Sequence, residues 1–191
     1  LADADYSQLQ NMSQPGGFLE RFVFLGGLAV INVAGGGSIR TDIAPGGVNL
    51  ASASQQANAE TVLNAIHPYM TGEGFGGDPL SASSFNSWNP TSRGFLTDLP
   101  VGAATVLRSD VTAPTWIEYN YGAGRVIVTT LTYCTPGQPN SMNRALDNLL
   151  KYGRFYSGGA QTPAATVTAT PTPTETRTAT PTFTGQVTKT S

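Results

Sequence analysis

Residues 25–38, with the sequence LGGLAVINVAGGGS, constrain the fold of this chain more than any other stretch. The central LAVINVA is almost entirely apolar and rich in residues that favour strands, which is typical of a strand buried on both faces in a mostly parallel sheet. The flanking glycines permit sharp turns of the backbone. We therefore predict that residues 28–34 form the most buried strand of an α/β domain, and that an aspartate at Val30 or Ile31 would unfold it.

The segments around this strand predict the other elements of the domain. Two short helices are predicted before it, one ending at Met12 and one in GGFLERFVFL, and a third in ETVLNAI, ending at His67. Residues 68–99 form a long insert rich in glycine, serine and aromatic residues. TWIEYNYGAGRVIVTTLTY predicts two antiparallel strands around a turn at Tyr121–Gly124. SMNRALDNLLKYG predicts an amphipathic helix, capped by Ser141, that packs on the sheet.

This order of elements, together with FLGGLAVINV and YGAGRVIVTTL, resembles class I glutamine amidotransferase-like domains of the secreted, non-amidotransferase branch. The resemblance covers residues 3–153. It implies a three-layer, flavodoxin-like α/β fold whose sheet is mostly parallel, with a C-terminal antiparallel hairpin. It also implies that two strands and a helix of such a domain would precede Leu1, so we expect the fold to be incomplete at its N-terminus.

The resemblance directs attention to the end of the predicted central strand, where catalytic amidotransferases carry a nucleophilic cysteine. Here the matching turn is AGGGS, residues 34–38, and it contains no cysteine. Ser38 is the nucleophile within reach, but it follows three glycines, whereas a nucleophile elbow needs a strained turn and a helix directly after it. We interpret the glycines as an exit that lets the backbone turn, with a catalytic Ser38 as the weaker alternative.

Two further residues are candidates for chemistry because each is the single residue of its type in the sequence. Cys134 has no histidine nearby in the sequence, and a lone cysteine is most often a small buried residue. His67 precedes Pro68 at a predicted helix end, so we interpret it as a capping or hydrogen-bonding residue. Contact with a ligand is the alternative for His67.

The insert contains the candidate ligand-binding residues Phe85, Asn86, Trp88 and Arg93. Aromatic rings beside amide and guanidinium donors are typical of sites for a sugar ring or a peptide. The alternative is that the rings form a satellite core under a long loop. Glu73 and Asp78 flank GFGG and are weak candidates for binding a hard cation, because the spacing of a calcium loop is missing. The sequence therefore predicts no cofactor.

Composition changes near Gly158, so we predict a globular domain over residues 1–157 and a disordered linker or stalk over residues 158–191. Threonine occupies every even position from Thr166 to Thr184, and prolines between them remove the donors that a strand needs. Such Thr/Pro tracts are typical of glycosylated stalks or of unmodified linkers. The tail predicts an extracellular or cell-surface protein.

Charge and hydropathy restrict the partners. The formal net charge is −2, and without a cluster of Lys and Arg the sequence predicts no nucleic-acid binding. No apolar stretch approaches the ~20 residues of a membrane-spanning helix. The resulting hypothesis is a non-catalytic extracellular binding or spacer module of a larger secreted or cell-surface protein, with a glycan or another protein domain as partner. The alternative is a secreted hydrolase acting on a glycan or amide, with His67, Glu73 or Asp78 as acid–base groups.

Overall fold

A computed structural model of the chain describes residues 3–34, 39–86, 88–109, 113–133 and 139–158, with only the backbone for residues 3, 4, 52–55 and 158. These residues all belong to one unit, Leu1–Ala160. Residues 159–191, which include almost all of the predicted linker, lie outside the described residues, and so do Ser38 and Cys134.

The described strands form two sheets. The five-stranded sheet has the order β1-β8-β7-β6-β4 and the three-stranded sheet the order β2-β3-β5. The strands are β1 Leu28–Asn32, β2 Arg40–Ala44, β3 Val48–Ala57, β4 Glu60–Val62, β5 Ser92–Thr97, β6 Ala104–Ser109, β7 Pro114–Tyr121 and β8 Gly124–Thr129. The described helices are α1 Asp3–Ser13, α2 Phe18–Phe24, α3 Pro68–Thr71 and α4 Asn140–Gly158, and Ala82–Ser84 form a 3₁₀ turn.

The prediction of a mostly parallel, flavodoxin-like sheet is wrong. Only the pair β1–β8 is parallel, and every other described pair in the two sheets is antiparallel. Parallel neighbours need long crossover connections, usually helices. Here residues 40–57 form the hairpin β2–β3 instead, and the ETV of the predicted helix ETVLNAI forms β4. The predicted antiparallel hairpin is confirmed as β7–β8, which closes with Tyr121 opposite Gly124.

The predicted position of residues 28–34 at the centre of the sheet is also wrong. β1 lies at one edge of the five-stranded sheet, and its side chains alternate between buried and exposed. Ile31 is 7% exposed, whereas Val30 is 41% exposed. An unbroken apolar run identifies a strand but not which of its faces is covered. We therefore still expect an aspartate at Ile31 to unfold the domain, but we no longer expect this of an aspartate at Val30.

The five-stranded sheet carries a hydrophobic core on each face, because side chains alternate across its strands. On one face, Ile117 and Tyr119 of β7 pack with the three-stranded sheet, α1 and α2. On the other face, Trp116 packs with α3, α4 and the aromatic residues of the insert. The insert therefore contributes side chains to a core. No helix in the described part of the chain is long and apolar enough to cross a membrane.

Candidate functional site

A buried polar cluster lies between the five-stranded sheet and α4. Its centre is Glu118 of β7, which is 8% exposed. One carboxylate oxygen of Glu118 accepts a hydrogen bond from the Tyr152 hydroxyl at 2.7 Å and lies 3.2 Å from Nε2 of His67. The other oxygen accepts from the guanidinium of Arg125. We call His67, Glu118, Arg125 and Tyr152 the Glu118 cluster.

Local structure explains why these four side chains meet. Glu118 lies two residues after Trp116 on β7, so both side chains point to the α4 side of the sheet. Arg125 lies near the start of β8, one residue beyond the position that pairs with Tyr121. Tyr152 comes from α4 and His67 from the residue that precedes α3. Three elements far apart in the sequence therefore supply the partners of one carboxylate.

The surroundings of Glu118 favour its ionised form. Burial alone would raise the pKa of this carboxyl, but hydrogen bonds from His67 and Tyr152 and the charge of Arg125 hold the pKa below its ordinary value. The pKa of Tyr152 is raised, first by burial and then by the neighbouring Glu118 charge. The phenol therefore remains protonated and keeps donating to Glu118.

His67 caps α3 rather than ending a helix, because Pro68 occupies the first helical position. Its Nδ1 accepts a hydrogen bond from the backbone N–H of Tyr69 at 3.2 Å, so the ring proton resides on Nε2 and points to Glu118. The ring also packs edge-on against Trp116 and Tyr152, with centroids 5.3 and 5.5 Å away. Both ring nitrogens are occupied, which leaves none to take a proton from a nucleophile.

The weak metal candidates Glu73 and Asp78 are exposed. Their backbone groups carry the described contacts, since the N–H of Glu73 donates to Thr71 Oγ1 and the N–H of Asp78 donates to Asn148 Oδ1. Among the described residues, no group of three or more His, Cys, Asp or Glu side chains is arranged to hold a metal ion. The structure does not bring these carboxylates together with His67 in any described contact.

Asn148 is a structurally important residue that the sequence reasoning missed. It is fully buried, and its Nδ2 donates to the carbonyl oxygens of Tyr69 at 3.0 Å and Asp78 at 2.7 Å. Together with the bond that Oδ1 accepts, these contacts fasten the insert to α4. The available signal was an amide residue within the apolar run of the α4 sequence, because a polar group on a buried stripe needs partners.

The four predicted ligand-binding residues do not form one exposed surface. Phe85 is 0% exposed and Trp88 is 1% exposed, so neither ring offers an exposed face to a ligand. Trp88 Nε1 donates to Ser141 Oγ at 3.1 Å, and the ring lies edge-on to Tyr133. Of the other two residues, Asn86 is exposed and Arg93 is half-buried on β5. Trp88 and Phe85 belong to the hydrophobic core that residues of α4 complete.

An exposed apolar surface lies instead on α2 and the residue after it. Its members are Phe18 (76% exposed), Phe22 (47%) and Leu25 (78%), which lie on one side of the helix because they are four and three residues apart. We call these three residues the α2 surface. Val23 of the same helix is fully buried. Residues Phe18, Phe22 and Leu25, with Arg21, line a hollow of about 530 Å³. The sequence contained a signal for this surface, because the apolar residues of this short helix cover more of its circumference than a single buried stripe would.

Comparisons with models of protein families, with curated proteins and with solved structures give no match to this chain. They therefore do not identify a glutamine amidotransferase-like domain.

Proposed function

We propose that the chain is a non-catalytic extracellular binding module of a larger secreted or cell-surface protein, and that its α2 surface binds another protein domain. The observation that carries the proposal is the exposure of Phe18, Phe22 and Leu25 on one side of a short helix. Large contiguous apolar patches are rare on proteins without partners and are typical of interaction sites. Aromatic anchors of this kind dominate the energetics of protein interfaces.

The Glu118 cluster supports the non-catalytic part of the proposal. Its carboxylate has three donors, and its histidine has a partner on each ring nitrogen. A general base must be free to accept a proton from a reacting group, and the bonds of His67 prevent this. The described contacts of the cluster support a structural role in which α3 and α4 are fastened to the sheet.

The chemistry of the α2 surface favours a protein over a glycan. Sugar recognition combines ring stacking with several polar groups that bind hydroxyls. Glu20, the carboxylate of α2, already accepts hydrogen bonds from Tyr121 and from the backbone of Gly16. Arg21 is then the one charged side chain among the residues that line the hollow, beside three apolar ones. The Thr/Pro composition of residues 158–191 supports the extracellular or cell-surface location.

The direct test replaces Phe18 with a photoreactive benzoylphenylalanine in the full chain and illuminates it in an extract of the source organism. We expect a discrete crosslinked protein at this position. The matched control carries the same residue at Ile66, which is 87% exposed but lies outside the α2 surface, and should give none. Equal crosslinking at both positions would contradict a specific site.

A parallel measurement addresses the hydrolase alternative. The wild-type chain is tested on fluorogenic ester, amide and glycoside substrates and on soluble glycans, and we expect neither turnover nor binding. Turnover that His67→Gln abolishes in a folded protein would overturn the non-catalytic proposal. Glycan binding that survives in the wild type and disappears in Phe18→Ser would overturn the choice of a protein partner.

A further inference from the structure

We propose that a path of tryptophan and tyrosine side chains between the five-stranded sheet and α4 carries an oxidising equivalent from two buried indoles to Tyr156 at the surface. The oxidant is a small radical that takes one electron, and the final reductant is a thiol in solution. The path uses residues other than the α2 surface, so it is independent of the proposed function. Its role is to spare the core of the domain lasting oxidation.

Unbroken contacts lead from one indole to the other. Both tryptophans of the sequence, Trp88 and Trp116, are buried on this side of the sheet. The Trp88 ring lies 5.8 Å from the Tyr133 ring, and the Tyr133 hydroxyl lies 3.1 Å from the Tyr69 hydroxyl. The Tyr69 ring stacks on Trp116 with the centroids 4.9 Å apart. Indoles and phenols are the aromatic side chains that lose an electron most readily, so each of these four groups can hold the oxidising equivalent.

The contacts continue from Trp116 to the surface. The His67 ring contacts both Trp116 and Tyr152, with centroids 5.3 and 5.5 Å away. The Tyr152 ring lies 4.7 Å from the ring of Tyr156, which is half-buried beside the exposed Phe155. Centroid separations of about 4.5–7 Å are those of rings in direct contact, which are the shortest steps available to an electron in a protein core. We call the six indole and phenol side chains the aromatic path: Trp88, Tyr133, Tyr69, Trp116, Tyr152 and Tyr156.

Tyr152 has an acceptor that can take its proton. A phenol that loses an electron becomes a far stronger acid than a carboxylic acid, so its oxidation is easy where a base lies within hydrogen-bond distance. The Tyr152 hydroxyl donates to Glu118 at 2.7 Å, and the pKa of that carboxyl is held below its ordinary value by its donors and by the charge of Arg125. The ionised carboxylate therefore accepts the proton when Tyr152 is oxidised and returns it when Tyr152 is reduced.

The core on the other face of the same sheet lacks these features. Among the described residues, its buried tyrosines are Tyr6 and Tyr119, and its other buried side chains are aliphatic. The hydroxyls of these tyrosines donate to the backbone carbonyls of Val33 and Pro45. A carbonyl oxygen is too weak a base to keep a phenolic proton. Burial of apolar surface therefore does not require indoles or a carboxylate acceptor, and it does not account for their collection on the α4 side.

The passage of one oxidising equivalent balances in four steps. The radical oxidant takes one electron from the indole of Trp116. Tyr152 then gives an electron to this indole and its proton to Glu118. Tyr156 gives an electron to Tyr152, which recovers its proton from Glu118, while the proton of Tyr156 passes to water. A thiol in solution gives a hydrogen atom to the Tyr156 radical. Overall the oxidant gains an electron, the thiol loses a hydrogen atom, one proton is released to water, and the protein is unchanged.

The first experiment follows the radicals in the full chain by transient absorption. A flash at a wavelength that indole absorbs and phenol does not ejects an electron from a tryptophan, and an electron scavenger removes that electron. We expect the absorption of the indole radical to decay as that of a phenoxyl radical grows. The rate should be independent of protein concentration and slower in heavy water, because a proton moves to Glu118. Absence of a phenoxyl radical, or a rate proportional to protein concentration, would overturn the proposal.

The second experiment identifies the residue that the oxidation reaches. The same illumination is applied with tyramine, a soluble phenol that couples to tyrosyl radicals, and the tagged residues are identified by peptide mass spectrometry. We expect tagging of Tyr156. Tyr121 is the internal control, because it is also half-buried and also donates to a carboxylate, that of Glu20, but its described ring contact is with Phe24. Equal tagging of Tyr121 and Tyr156 in the wild type would contradict a directed path.

Two matched variants, each of which removes one hydroxyl from a buried tyrosine, test the role of Tyr152 in the same assay. Tyr152→Phe should abolish the tagging of Tyr156, whereas Tyr119→Phe, on the other face of the sheet, should leave it at the wild-type level. Circular dichroism verifies that both variants are folded. Undiminished tagging of Tyr156 in a folded Tyr152→Phe variant would overturn the path. If Tyr152→Phe does not fold, the comparison of Tyr121 with Tyr156 in the wild type decides the outcome.

Discussion

Replacing Glu118 with glutamine should destabilise the domain strongly, although the two side chains have nearly the same shape. A glutamine offers one oxygen where Glu118 now accepts from His67, Tyr152 and Arg125. If that oxygen faces Arg125, the new amide N–H₂ meets the Nε2–H of His67. The ring cannot move its proton to relieve this conflict, because Nδ1 accepts from Tyr69.

The size of the effect follows from the burial of the charges. The side chains of Glu118 and Arg125 are 9% and 16% exposed, and breaking a buried charge pair by removing one member costs about 3–5 kcal/mol. In a domain of this length, 1 kcal/mol changes Tm by about 2–4 °C. We therefore expect Glu118→Gln to lower Tm by about 6–20 °C. Glu20→Gln, the same change at a half-exposed carboxylate, should cost less than about 1 kcal/mol.

The pH dependence distinguishes the loss of charge from a loss of packing. The pKa of Glu118 is lowered in the folded protein, so the unfolded chain, with a glutamate pKa of about 4.3, binds more protons in acid. The stability that the ionised Glu118 contributes is complete above that unfolded value and is lost as the pH falls through the folded-state pKa. Glutamine does not titrate, so the difference in Tm between the two proteins should shrink toward acid pH.

Thermal melts followed by circular dichroism, at neutral pH and at successively lower pH, measure both effects. The reasoning is refuted if Glu118→Gln melts with the wild type at neutral pH. It is also refuted if a large difference in Tm persists unchanged in acid, because the loss would then come from packing.

Five further changes are each tested by thermal or urea unfolding. Gly124→Ala should destabilise the domain by more than about 2 kcal/mol, because the new Cβ would lie 2.1 Å from Val23 O and 2.3 Å from Gly27 O. Gly153→Ala, within α4, should instead stabilise the domain by about 0.5–1 kcal/mol. Equal effects of the two substitutions would contradict the close packing around Gly124. Asn148→Ala should cost about 3 kcal/mol, since it removes the partner of the buried Tyr69 carbonyl and of the part-buried N–H and carbonyl of Asp78, and a wild-type Tm would refute that role. Trp88→Ala should cost about 3–5 kcal/mol, and a stable variant would contradict its burial. Deleting residues 160–191 should leave Tm almost unchanged, and a drop of many degrees would mean that the tail contributes to folding.

The candidate sites were only partly accessible from the sequence. The single histidine was identified as a candidate, but its partner Glu118 lies 51 residues away in the sequence and reaches it through the pairing of β7 within the sheet. Trp88 was identified as a ring beside polar donors, which describes a binding surface and a core equally well. α4, some 50 residues further along the chain, buries it. No local pattern contains either contact.

The sequence by itself determined the elements whose hydrogen bonds and turns are local. The β7–β8 hairpin follows from two strand-forming segments around a turn where Gly122 has a φ of +59°, and α4 follows from an apolar stripe with helical spacing. Only the tertiary structure decided the neighbours of each strand and the cover of each face. LAVIN is an edge strand because β8 is its one partner among the described strands. Burial stabilises an apolar side chain wherever it is shielded from water, but which element covers it depends on the free energy of the whole fold.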